Sequence, residues 1–154
     1  MKNGIYKWIL LTGLLAGSLD ILAAIIQFVS VTGKSPVRIF YYIASGVFGK
    51  EAYDGGIPMV IAGFLFHYFI ATIFSAFFFF IYPAIPILRK NKIVAGLAYG
   101  IFVWVIMNLA VVPVSRVNRG PFHLQQVLIG MGILMLCIGL PISLMANRYW
   151  SRNL

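Results

Sequence analysis

Acidic residues are nearly absent: Asp20, Glu51 and Asp54 are the only three in a chain of 154, against 12 lysines and arginines. Charge of either sign is scarce, at 10% of residues where a soluble domain carries about 25%, and 62% of the chain is hydrophobic. That balance excludes an ordinary soluble fold. Residues 55–88, 93–115 and 120–147 contain no Asp, Glu, Lys or Arg, and Asp20 is the one charge between Lys7 and Lys34. Cysteine is also missing except for Cys137, which excludes an intrachain disulfide and a cysteine-built metal site and leaves a small packing residue.

What is there is apolar length. Each charge-poor stretch exceeds the roughly 20 residues a spanning helix needs. The stretch over 55–88 is too short for two spans, and Pro83 and Pro86 supply its stop. The sequence therefore predicts an all-α integral membrane protein, a single domain over 1–154 built as a four-helix transmembrane bundle with spans at 8–31, 58–82, 93–114 and 122–145. Lys2 and Lys7 before the first span, with "LLAGS" inside it, resemble a secretory signal, but the apolar stretch is longer than a signal core of about 7–15 residues and reads as a mature helix.

Four spans put both termini on one side. Lys2, Lys7, Arg89, Lys90, Lys92, Arg148 and Arg152 fall there without an acid. Lys34, Arg38, Lys50, Arg116 and Arg119 fall on the other side with Glu51 and Asp54. The lysine and arginine excess places the termini in the cytoplasm, and Trp8, Tyr82, Tyr149 and Trp150 form an aromatic belt at the inner ends. The net charge of +9 lies at helix ends and in short loops, so the expected partner is a bilayer with anionic headgroups rather than nucleic acid. The run Phe77 to Phe80 reads as lipid-facing and packing bulk.

The first outer loop contains "KSPVRIFYYIASGVFG". Ser35 as a cap and Pro36 at the first position predict a helix over 36–48. Val37, Phe40, Tyr41, Ala44, Val47 and Phe48 form its apolar face, opposite Arg38, Tyr42 and Ser45. Such a helix lies passively in the interface or dips back into the bundle as a lid.

Depth orders the polar residues. At about 1.5 Å per residue, Asp20 lies about 16 Å below the outer end of its span and His67 about 14 Å below the outer end of the second, one shared layer. Gln27, Asn108 and Gln126 lie at roughly 6, 9 and 6 Å, with Arg116, His123 and Gln125 near the rim. Small residues show the opposite bias. Gly13 and Gly17 in "GLLAG" and Gly96 and Gly100 in "GLAYG" lie near the inner ends and predict close helix contacts. The stripe Gly13, Gly17, Asp20, Ala24, Gln27 makes Asp20 an extension of the packing face, turned into the bundle. The likeness of the two glycine motifs also hints at a duplicated helix pair.

An ionisable group at mid-membrane is costly. Asp20 either makes a buried hydrogen bond that fixes register or serves as a proton or cation site, paired with His67 or a reaching Arg116. His67 itself is either a donor to a carbonyl or a working titratable group. Asn108 and Gln126 are interhelical hydrogen-bond partners or ligand contacts, and Arg116 is a snorkelling arginine or an anion clamp. Asp20, His67 and His123 are metal-ligand types, but no spacing within one helix supports a metal, and neither a cofactor nor an enzyme motif is expected.

Taken together, "GLLAGSLD", "GGIP" leading to "GFLFH", "VAGLAYG" leading to "MNLAVVP", and His123 resemble the YagU-like family of four-span bacterial inner-membrane proteins, whose outer segments are longer than these. The resemblance implies a bacterial inner-membrane location and transfers no catalytic residue. The residues themselves predict an outward-facing polar pocket for small-solute or cation- or proton-linked transport or ligand binding, formed by a homo-oligomer or membrane complex because four helices enclose little. The alternative is an accessory or scaffold subunit in which the same polar groups knit helices together.

Overall fold

The computed structural model describes residues 3–118 and 123–153. Lys2, Arg119 and the expected start of the fourth span at Phe122 lie outside them. The described residues form helices and connecting turns, with no strand among them. Helix α1 (Asn3–Thr32) leads to α2 (Val37–Phe48), a 3-10 turn (Gly49–Tyr53) and α3 (Gly56–Ile81). A short α4 (Pro86–Lys90) precedes α5 (Lys92–Ile106), which continues through a π-helical segment (Met107–Val111) into α6 (Val112–Val114). Then α7 (Leu124–Ile133), a second π-helical segment (Leu134–Gly139) and α8 (Leu140–Trp150) form one further rod. Four helices, Gly4–Thr32, Gly56–Ile81, Lys92–Val114 and Leu124–Trp150, are long and apolar enough to cross a membrane.

Local chemistry sets the boundaries. Gly33 and Gly49 stop α1 and α2 at φ of 63° and 67°, a conformation that costs glycine little. Pro86 opens α4, and the Asn91 carboxamide caps α5 by accepting from the Ile93 and Val94 N–H groups at 3.0 and 3.2 Å. Helix α2 lacks the expected Ser35 cap: its N-cap is Pro36, with no side-chain bond, and the entering turn is closed instead by the Arg38 N–H on the Ser35 carbonyl.

The start of α1, the end of α3, the start of α5 and the end of α8 meet in one core that includes Ile5, Ile9, Phe78, Phe79, Tyr82, Tyr99, Ile142 and Tyr149. The long helices therefore alternate in direction, and this end of the molecule holds the aromatic core, with a cleft of about 390 Å³ at its edge between Tyr6, Phe80, Pro83 and Trp150. The phenylalanine run divides accordingly, Phe78 and Phe79 fully buried and Phe77 and Phe80 on the surface.

Glycines set the closest approaches. A side-chain carbon on Gly13 would stand 2.8 Å from Thr72 Cα, and one on Gly17 3.1 Å from the Tyr68 ring, so this pair fits α1 to α3. Gly96 and Gly100 fit α5 to the fourth rod, 2.8 Å from Leu140 Cα and from the Leu134 carbonyl oxygen. Two partners were not expected. A side-chain carbon on Gly139 would stand 2.8 Å from Gly100 Cα, and one on Gly63, under the α2 backbone, 2.9 Å from Phe40 Cα.

That last contact corrects the expected face of α2. Ser45, assigned to the polar side, is buried with Ala44, while Val37, Val47 and Phe48 are exposed. Gly63 admits the α2 backbone on one side, and the Arg116 N–H donates to the Gly46 carbonyl at 3.0 Å on the other. The helix is thus held by its small residues, and Ser45 spends its hydroxyl on the Tyr42 carbonyl at 2.7 Å.

Candidate functional site

Away from the aromatic core, at the end that carries α2, the third and fourth rods part from α1 around a cavity of about 730 Å³. Asp20, Ala24 and Gln27 come from α1, Tyr42 from α2, Trp104 and Asn108 from the third rod, and His123, Gln126 and Gly130 from the fourth. Five of the seven expected site residues, Asp20, Gln27, Asn108, His123 and Gln126, therefore share one space. On α1, Gly13 and Gly17 nearer the core end face α3, and Asp20, Ala24 and Gln27 further along the same stripe border the cavity.

Backbone geometry on the opposite wall was invisible in the sequence. Pro113 and Pro141 have no N–H, which removes a helical donor to the carbonyls four residues earlier, at Leu109 and Cys137. Each proline follows a π-helical segment, where the bonds lengthen to five residues, Val112 N–H to Met107 and Leu140 N–H to Met135. Such segments often occur at functional sites. Here Asn108 and Leu109 on one and Leu134 on the other line the cavity.

His67 and Arg116 are not among the cavity's walls. The His67 Nε2 donates to the Gly17 carbonyl at 2.7 Å. The same nitrogen is 4.0 Å from Asp20 Oδ2, the one contact between an acidic and a basic side chain within that limit among the described residues. The acid and imidazole do share a layer, but the hydrogen bond belongs to the backbone. Arg116 is exposed, and its side chain lies over Gly49 at the end of α2 rather than reaching Asp20.

Asp20 is largely enclosed, with 17% of its side chain exposed, and it borders the cavity. Asn108 donates from Nδ2 to the Trp104 carbonyl one turn back at 3.0 Å. Besides His67 to Gly17, the side-chain bonds that join long helices are Ser18 with Tyr68, Tyr99 to Phe74, Ser143 to Lys92, Asn147 to Tyr82 and Trp150 to Phe79. Most lie at the core end, and among the described residues none involves Gln27, His123 or Gln126. No group of three or more His, Cys, Asp or Glu side chains gathers into a metal-binding set among the described residues.

Four helices long and apolar enough to cross a membrane, three of them bordering this cavity, define the class: a multi-pass helical membrane protein. No family model, curated protein or solved structure matches the chain.

Proposed function

We propose that this protein binds a small cationic solute in the cavity at the α2 end, with Asp20 as the counter-charge, and works as an oligomer in ligand-linked transport. The observation that carries the reading is the placement of the single acid of the four apolar rods around one space of about 730 Å³ with Gln27, Asn108, His123 and Gln126. That size falls within the range of small-molecule sites, about 300–1,000 Å³. A carboxylate held in such a setting is stabilised by a cation that enters beside it, and the carboxamides supply oriented hydrogen bonds. The side-chain bonds that tie the long helices at the core end come from residues outside this cavity, Tyr99, Ser143, Asn147 and Trp150.

The lysine and arginine asymmetry supports cytoplasmic termini and a cavity open to the far side. The exposed basic residues at the terminal end suit anionic headgroups, and the likeness to the YagU-like group supports a bacterial inner membrane. With α2 gripped between α3 and the end of the third rod, we read it as a re-entrant lid.

Ethylammonium tests the proposal by saturation-transfer NMR on protein in nanodiscs, since so small a ligand binds no tighter than about millimolar. Wild type is expected to give transfer that Asp20→Asn removes. Gly130→Leu fills the cavity from a position whose sole neighbour within 4 Å is the Trp104 ring nitrogen, and is expected to remove it also. Transfer absent from wild type, or equal in Asp20→Asn, defeats the reading.

A further inference from the structure

A second space lies against the first. It is a cleft of about 390 Å³ between α2, α3 and the third rod, walled by Ile43, Val47, Phe66, Ile70, Met107 and Val111. Its surface is almost wholly apolar. The one hydroxyl of an aliphatic side chain there, Ser115, is engaged locally, donating to the Val112 carbonyl at 2.8 Å and accepting from the Val117 N–H at 3.3 Å. Tyr42 and Val112 line the cleft and the polar cavity alike. The two spaces are thus adjoining compartments of opposite character with a common wall.

We infer that the ligand is an amphiphile with a primary ammonium head and a single alkyl chain, its head at Asp20 and its chain passing Tyr42 and Val112 into the cleft. This rests on the cationic reading of the cavity and extends it. The ammonium carries three N–H donors for carboxylate and carboxamide oxygens, and Trp104 in the same wall offers an aromatic face to a cation. The cleft supplies what the cavity lacks, a dry surface without a polar group to satisfy. A phosphate or carboxylate head would instead place like charge beside Asp20.

Dodecylammonium with a terminal diazirine, photolysed with the protein in phosphatidylcholine nanodiscs and mapped by mass spectrometry, tests this. The expected result is adducts on Phe66, Ile70, Met107 or Val111 that are lost with excess ethylammonium and lost in Asp20→Asn. Competition on wild type keeps the test independent of how the variant folds. Adducts spread over surface residues such as Ile61 and Leu65, insensitive to the competitor, overturn the chain's placement. If ethylammonium shows Asp20-dependent saturation transfer while the cleft stays unlabelled, only the chain assignment fails; if no amine depends on Asp20, the cavity reading itself fails. Nanodiscs of phosphatidylethanolamine distinguish the source: undiminished labelling supports a free single-chain amphiphile, and suppressed labelling, which shows that a two-chain lipid with a phosphate beside its ammonium takes the site, overturns the single-chain assignment.

Discussion

At the scale of single residues, glycine sets how closely the helices approach. Gly100 lets two backbones meet, because its absent side chain is where Met135 N stands, 2.7 Å from an ideal Cβ. Gly100→Ala must displace backbone, so it is expected to lower stability by about 1–3 kcal/mol in a reversible unfolding titration in mixed micelles. The Gly17 carbonyl accepts from His67. His67→Phe is expected to cost about 0.6–2 kcal/mol, the worth of one hydrogen bond within the membrane, while ethylammonium binding persists. Loss of binding with the fold intact would move His67 from a structural to a ligand role. The sequence disclosed the glycine pairs, since small residues four apart are a local signal, but not their partners. Gly63 and Gly139 are isolated glycines whose meaning depends on which helix crosses them. It likewise placed Asp20 and His67 at one depth by counting residues, and left open where the imidazole's hydrogen goes, because a backbone carbonyl leaves no mark on composition.

At the scale of elements, the four rods were legible because a run without charge about 20 residues long has few other uses. The observed limits differ from the expected ones by up to five residues, most at Trp150, where polar Asn147 and Arg148 continue the helix past Met145. Helix α2 was legible as a helix and misread as a surface: its periodic apolar face is partly exposed, and its small residues are inside. Gly63→Leu would drive a side chain into the Phe40 backbone and is expected to release α2, raising the rate of tryptic cleavage at Lys34 and Arg38 several-fold. An unchanged rate would show that the Arg116 bond to Gly46 suffices. The π-helical segments were not legible, since a proline two residues beyond each announces a lost hydrogen bond but not how the helix absorbs it.

At the scale of the whole molecule, the rods are asymmetric along their length: an aromatic core with a mostly apolar cleft of about 390 Å³ beside it at one end, and a larger polar cavity at the other. Polar residues fall into two populations for the same reason. Tyr99, Ser143, Asn147 and Trp150 at the core end bond across helices, and Asp20, Gln27, Asn108, His123 and Gln126 at the other end border the cavity. Water or a polar ligand must then reach Asp20 from within the chain's apolar length. The most direct measurement is reaction of single cysteines, in a Cys137→Ala background in nanodiscs, with a charged maleimide that does not enter lipid. Ala24→Cys, one turn beyond Asp20 on the cavity wall, is expected to react, and Leu22→Cys, on the outward surface of the same helix, to remain unmodified. Equal reactivity at both positions, or protection of Ala24→Cys in a folded protein, would contradict the account.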